Sequence, residues 1–245
     1  MTHEFIYNGM NSRDYGLTIS GEDTWTRPQP DIKRISVPGR NGDLVQLGNR
    51  FQNLDISYHC GIIHDLKINF DAFNAKLLSE PGYHRLEDSY HPEYFRMALF
   101  ESALEPDVKQ RALVGEVDIK FNCKPQLFLK SGEVEQIVEN EGYIYNPTPY
   151  IAYPKIRFRF SGDALGGSIM INGVTITADE PNTGDYFIID CDRQDIYKYG
   201  SQDNWNNRFT LLGGEFFELK PGRNKVTMTG IMNSEVYITP NWWTV

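Results

Sequence analysis

The stretch RLEDSYHPEYFRM, residues 85 to 97, gathers Glu87, Asp88, Ser89, His91 and Glu93 within seven positions, the acid, hydroxyl and imidazole groups from which hydrolases are built. Acyl transfer by a serine needs the hydroxyl at a strained elbow such as G-x-S-x-G, with histidine and carboxylate converging on it from separate elements. Ser89 has no flanking glycines and lies two residues from His91, in a segment that Pro92 biases toward extended or turn geometry. Asp and Ser in such a position hydrogen-bond their own backbone, so the stretch reads as a self-braced loop held by Asp88 and Ser89.

Other candidates for chemistry read similarly. The pairs Glu87/Asp88 and Asp190/Asp192 suggest two-carboxylate glycoside hydrolysis, which needs acids roughly 5 to 9 Å apart. Asp190 and Asp192 bracket Cys191, so on a strand both are expected on a solvated outer face, away from the thiol. VPGRNGDL, Val37 to Leu44, has two glycines but neither the G-x-G-x-x-G spacing nor a Walker lysine, and no helical pattern follows it. Its Pro38-Gly39 and Asn41-Gly42 read as consecutive turns that present Arg40 and Asp43 at a surface. His59, Cys60 and His64 form a cluster of soft metal ligands, but neighbours on a strand point to opposite faces and cannot close on one ion. Cys60, Cys123 and Cys191 sit far apart in strand-like runs and read as free buried thiols. No catalytic, cofactor-binding or metal-ligating residue is assigned. Trp205 and the adjacent Trp242 and Trp243 raise sugar stacking, but adjacent residues on a strand diverge, which favours core packing or a protein interface.

These residues sit on elements that the periodicity outlines. From Asp65, the apolar residues Leu66, Phe70, Phe73 and Leu77 recur at i, i+4, i+7 and i+11, with Asp65 as N-cap and Gly82 beyond the stop, which predicts one helix. Elsewhere the period is two: Val117, Ile119, Phe121 and Cys123 alternate with polar residues, as in a strand with one dry face. Asn146 to Pro149, N-P-T-P, reads as a linker, which gives an N-terminal β domain with one helix at 1–145 and a second domain at 146–245. The closing residues, Thr239 to Val245, have the choice of packing on either. Beyond the linker, Asn172-Gly173 between two β-branched runs predicts a type I′ hairpin. Asn182-Thr183-Gly184 and Lys220-Pro221-Gly222 predict further turns between short strands, the pattern of an antiparallel β-sandwich or jelly roll.

The net charge of -9 argues against a nucleic-acid groove. Residues 1–145 carry 15 Lys and Arg against 22 Asp and Glu, and residues 146–245 carry 9 against 11, so both halves are acidic. No run approaches the ~18 apolar residues of a membrane span, and MTHEFIYNGM has neither the basic start nor the apolar core of a secretory signal.

Several stretches recur together in a recognisable order: N-S-R-D-Y-G-L (Asn11 to Leu17), V-P-G-R-N-G-D-L, R-L-E-D-S-Y-H-P-E-Y-F-R-M, F-N-C-K-P-Q-L-F-L (Phe121 to Leu129), N-P-T-P, I-N-G-V-T-I-T, D-Y-F-I-I-D-C-D followed by D-I-Y-K, and T-P-N-W-W-T-V. With this order and spacing the chain resembles, over essentially its whole length, the distal tail protein (Dit) family of long non-contractile-tailed bacteriophages and related prophages. The resemblance implies a mainly β fold, with a tail-tube-ring-like N-terminal domain carrying one α-helix and a C-terminal galectin-like or carbohydrate-module-like sandwich. It implies a non-enzymatic virion protein, made in the bacterial host cytoplasm and placed at the distal end of the tail, without cofactor or membrane insertion. Its copies are expected to form a homo-hexameric ring, single or stacked. That ring joins the tail tube protein to the tail-associated lysin or fibre hub and to receptor-binding or accessory baseplate proteins, and leaves a channel through which DNA passes transiently. An acidic channel wall would repel the phosphates. The alternative is a host-surface carbohydrate binder acting through the sandwich, although the H-x-N-P-R run of sugar-binding galectins is missing. Assembly contacts are expected at Arg40, Asn41 and Asp43 and at Glu87, Asp88, His91, Glu93 and Tyr94; the competing reading makes both stretches self-satisfied solvent loops.

Overall fold

The computed structural model describes residues 3–20, 26–62, 66–79, 81–109, 114–160, 167–178, 186–201, 203–231 and 235–245. The chain divides into two compact units, Met1–Leu127 with Val245, and Phe128–Thr244.

In the first unit the strands are β1 (Phe5–Tyr7), β2 (Met10–Asn11), β3 (Leu17–Ile19), β4 (Pro30–Ile35), β5 (Leu44–Phe51), β6 (Leu54–Ile62), β7 (His84–Asp88), β8 (Tyr94–Phe100), β9 (Asp107–Lys109) and β10 (Val114–Leu129). One sheet runs β2-β1-β7-β8-β10-β6-β3, with β9 also paired to β10. Its core arises from two facing rows of period two. Leu54, Ile56, Tyr58, Cys60 and Ile62 on β6 and Val117, Ile119, Phe121 and Cys123 on β10 are all buried, and the register sets Ile119 opposite Tyr58 and Phe121 opposite Ile56. The expected helix is α1 (Leu66–Leu78). It sends Phe73 and Leu77 into this core and rests Phe70 against it, while Ile68 and Leu78 remain exposed. Phe73 packs edge-on against Phe5 and Tyr15, with ring centres 6.1 and 5.7 Å away. The expected N-cap, Asp65, lies outside the described residues.

The second unit holds β11 (Gln136–Glu139), β12 (Glu141–Asn146), β13 (Lys155–Arg159), β14 (Ser168–Ile171), β15 (Val174–Ala178), β16 (Tyr186–Asp190), β17 (Asp195–Lys198), β18 (Phe209–Leu212), β19 (Gly222–Thr229), β20 (Glu235–Thr239) and β21 (Trp243–Thr244). Two five-stranded antiparallel sheets, β11-β20-β13-β16-β17 and β12-β19-β14-β15-β18, share one apolar core. Alternation drives this: Ile156 and Phe158, Phe187 and Ile189, and Val236 and Ile238 face inward from one sheet, and Ile169, Ile171, Ile176 and Val226 from the other. Asn172 and Gly173 adopt φ of 53° and 90°, the two positive values that a type I′ hairpin requires. The Asn182-Thr183-Gly184 turn lies outside the described residues.

The N-P-T-P stretch is a closed turn within this unit. Asn146 is buried; its Nδ2 donates to the carbonyls of Tyr150 and Leu219 at 2.8 and 2.9 Å, and its Oδ1 accepts from the Thr148 amide at 2.9 Å. Asn224, fully buried, clamps the Lys220 turn by accepting from its amide at 2.8 Å and donating to its carbonyl at 2.9 Å. It also accepts from Asn172 Nδ2 at 2.6 Å, which ties the I′ hairpin to the same turn.

The terminal tryptophans close the sandwich. Trp242 is 2 % exposed and its carbonyl accepts from the Leu129 amide at 2.9 Å. Gly132 makes room for it, since a Cβ there would lie 2.4 Å from the Trp242 nitrogen. Trp243, half-buried, stacks on Tyr150 at 4.4 Å and donates from Nε1 to the Ile151 carbonyl at 2.7 Å. Both rings are therefore committed to packing.

Candidate functional site

The acidic loop quoted first joins β7 to β8, and its hydrogen bonds answer the question its composition raises. Asp88 accepts from the backbone amides of Tyr90 and His91 at 3.0 and 2.9 Å and from the Tyr58 hydroxyl at 2.7 Å. Ser89 Oγ does not meet His91; it accepts from the Glu4 amide at 3.0 Å and lies 3.1 Å from His3 Nδ1. The His3 ring stacks on Tyr90 at 4.2 Å. His91 Nδ1 faces Asp88 at 3.3 Å, and Glu87 pairs with Arg85, which itself stacks over Phe95. Ser89, His91 and Asp88 thus form no relay, and the loop is braced as its sequence predicted. Glu93 is exposed, and the Tyr94 amide closes the turn on the His91 carbonyl at 3.0 Å.

Beneath the loop, Arg96 is buried beside Tyr58 and Cys123, and its Nη1 has no hydrogen-bond partner among the described residues. Desolvation lowers the Arg96 pKa and raises that of Tyr58 well above an ordinary phenol, with Asp88 adding to the latter. Burial pushes the Cys60 and Cys123 thiols up to about 12. All three cysteines are free and buried.

One expectation is corrected. Asp190 is buried, 4 % exposed, where a solvated face was expected. Its carboxylate pairs with Lys155 at 3.1 Å and accepts from the Arg193 amide at 3.2 Å, compensation that makes burial tolerable. Asp192 is exposed and lines a cleft of about 330 Å³ with Tyr153, Gln194, Glu215, Phe216 and Glu218.

VPGRNGDL forms the tip of a two-stranded arm in which, among the described residues, β4 and β5 pair only with each other. Gly39 and Gly42 take φ of 77° and 81°, and Arg40, Asn41 and Asp43 are exposed, as the turn chemistry predicted. Apolar residues emerge on both of the arm's faces. Ile32 and Leu47 pair on one, beside Arg34 and Val45, and Ile35 and Leu44 pair on the other. Leu47 is 64 % exposed and Val45 59 %. At the base Arg50 pairs with Asp31 at 2.7 Å and holds its carboxyl below the usual range. Four basic side chains (Lys33, Arg34, Arg40, Arg50) against two acidic ones make the arm basic on an acidic chain. Elsewhere in the same unit, Glu105, Asp107, Glu116 and Asp118 line a cleft of about 460 Å³ with His59, which hydrogen-bonds Asp118 at 2.6 Å. The sequence did not reveal either the arm's exposed apolar residues or this acidic wall.

No protein-family model matches the sequence, and comparison with curated proteins finds no match. Solved structures do match. The Dit protein of phage SPP1, described as a paradigm of the hub adsorption apparatus in phages infecting Gram-positive bacteria, superposes with a TM-score of 0.78 at 14% identity, over 97% of this chain and 98% of that one. Two structures of the phage P2 baseplate in its activated conformation, with Ca and with Sr, give TM-scores of 0.57 and 0.58 at 9% and 10% identity, each over 97% of this chain and over 98% and 97% of theirs. Across 97% of its length, therefore, the chain has the fold of a phage Dit hub protein.

Proposed function

We propose that this chain is the distal hub of a phage tail, six copies of which close into a ring that leaves a channel for DNA. The ring sits between the tail tube protein and the tail-associated lysin or fibre, with receptor-binding or accessory baseplate proteins attached. The observation that carries the reading is the likeness of fold to the SPP1 hub protein over nearly the whole of both chains. A ring needs heterologous contacts, in which one surface of each copy meets a different surface of the next. The arm suits one side of such a contact, because a two-stranded ribbon with apolar residues on both faces needs a cover to be stable. Its basic charge matches the acidic cleft of Glu105, Asp107, Glu116 and Asp118, which suits the other side. In this reading Arg40, Asn41 and Asp43 at the tip touch the neighbour, and the braced loop from Glu87 to Tyr94 presents Glu93 to a second contact. In this reading the unit Met1–Leu127 belongs to the ring and the sandwich unit Phe128–Thr244 projects from it.

Deleting the gene from the phage that encodes it is the test. Tails without tips that cannot infect support the proposal, and intact infective tails refute it. Sugar binding through the sandwich, the second reading, has the cleft around Tyr153 and Phe216 as its place. Binding of host cell-wall polysaccharide that is lost on Phe216→Ala would favour it.

A further inference from the structure

Asparagine followed by glycine occurs three times, at Asn8-Gly9, Asn41-Gly42 and Asn172-Gly173. The dipeptide has a chemistry of its own: the glycine amide nitrogen can attack the asparagine side-chain carbonyl carbon and close a five-membered succinimide ring. Glycine suits this best, because it has no Cβ to shield the nitrogen or to restrict the backbone. Exposure does not separate the three, since each asparagine is exposed. Backbone conformation and hydrogen bonding do.

Asn8 and Asn172 each open a two-residue turn between paired strands. Tyr7 pairs with Met10 across the first and Ile171 with Val174 across the second. Both asparagines take positive φ, 48° and 53°, and the flanking ladder holds them in that turn conformation. The Asn8 amide also donates to the Arg85 carbonyl at 2.9 Å. The Asn172 side chain is tied twice: Nδ2 donates to Asn224 Oδ1 at 2.6 Å, and Oδ1 accepts from the Lys225 amide at 3.1 Å. It cannot swing onto the Gly173 nitrogen without breaking these bonds.

Asn41 differs in each respect. The last pair of the arm is Ile35 with Leu44, so residues 36–43 connect the strands without pairing. Asn41 is not at positive φ, and among the described residues no hydrogen bond reaches Asn41 or Gly42. The backbone bond of the tip runs instead from the Arg40 amide to the Val37 carbonyl at 3.2 Å.

We infer that Asn41 is a site of spontaneous modification in the free chain, where it passes through a succinimide to aspartate and isoaspartate. In the first step the bond from the Gly42 nitrogen to Asn41 Cγ forms and the bond from Cγ to Nδ2 breaks. Nδ2 leaves as ammonia, taking the proton of the Gly42 amide. Water then opens the ring at either carbonyl, giving aspartate or isoaspartate, in which the main chain runs through Cβ. Either product adds an acid to an arm that carries four basic and two acidic side chains. The inference rests on the hub reading only for its consequence: a modified tip is drawn less strongly to the acidic cleft of a neighbour, so copies that wait unassembled lose part of that contact.

The experiment incubates the folded full chain in mildly alkaline buffer and follows the three Asn-Gly peptides by mass spectrometry, with an isoaspartyl methyltransferase to mark isoaspartate. Asn41 should convert about tenfold faster than Asn8 or Asn172, mostly to isoaspartate, and in urea the three rates should converge. Asn41→Gln should abolish modification of the tip and leave the other two peptides unchanged. Equal rates at the three sites in the folded chain overturn the inference, as does an Asn41 that stays intact when folded but converts in urea. Chain recovered from virions tests the hub reading separately. Slower conversion of Asn41 there supports cover of the tip by a neighbour. Conversion at the rate of the free chain contradicts that contact and leaves the modification site standing, and absence of the chain from virions refutes the hub reading with the same result.

Discussion

The Tyr58 hydroxyl donates to Asp88 Oδ2 at 2.7 Å, tying a fully buried ring of β6 to the loop that follows β7. Asp88 also accepts two backbone amides, so Asp88→Ala removes the loop's brace and strands a buried phenol. An unsatisfied buried hydroxyl costs about 1–3 kcal/mol, against about 1 kcal/mol for a hydrogen bond lost with its donor. Urea unfolding should therefore show Asp88→Ala destabilised more than Tyr58→Phe, and the double variant less than the sum of the two.

Alkaline pH should weaken the first unit. Its Cys60 and Cys123 thiols are raised from 9.0 to about 12 by burial, and the Tyr58 phenol is raised above 10.0. A raised folded pKa means that the native state keeps a proton which the unfolded chain releases. The stabilisation is whole below pH 9 and declines as pH climbs toward about 12. The urea midpoint should fall across that window, and fall less steeply in a Cys60→Ala, Cys123→Ala variant. The native thiols should resist a maleimide reagent until the chain unfolds.

The arm gives a prediction about salt. If its basic side chains meet the acidic cleft of the next copy, Arg34→Glu with Arg40→Glu should weaken self-association at least tenfold at low ionic strength. The gap between variant and wild type should narrow as salt screens the contact. Restoring association by adding Glu116→Lys and Asp118→Lys would identify the two surfaces as partners; equal association of the wild type and the arm variant in sedimentation velocity would separate them.

Much of this architecture was legible because local chemistry and tertiary packing agree. The row Val117, Ile119, Phe121 and Cys123 is dry on one face in sequence and in structure, and the Asn172-Gly173 turn takes the dihedral angles its side chains favour. The same dipeptide at Asn8-Gly9, with φ of 48° and 76°, turns β1 into β2 and carried the same signal. Illegible features depend on partners distant in sequence. Asp190 alternates like a surface residue, yet Lys155 and the Arg193 amide hold it inside. Asn146 reads as a linker residue, yet it is buried, with its side chain held by the carbonyls of Tyr150 and Leu219 and the amide of Thr148. The arm defeats periodicity altogether, because Ile32 and Leu47 share one face and Ile35 and Leu44 the other.

The ring is the central claim, and electron microscopy of tails carrying a gold-labelled copy of this chain tests it most directly. The account predicts label confined to the distal end of the tube, on a collar of six-fold symmetry around an open channel. Label distributed along the tube, or a tip structure of another symmetry, would contradict it.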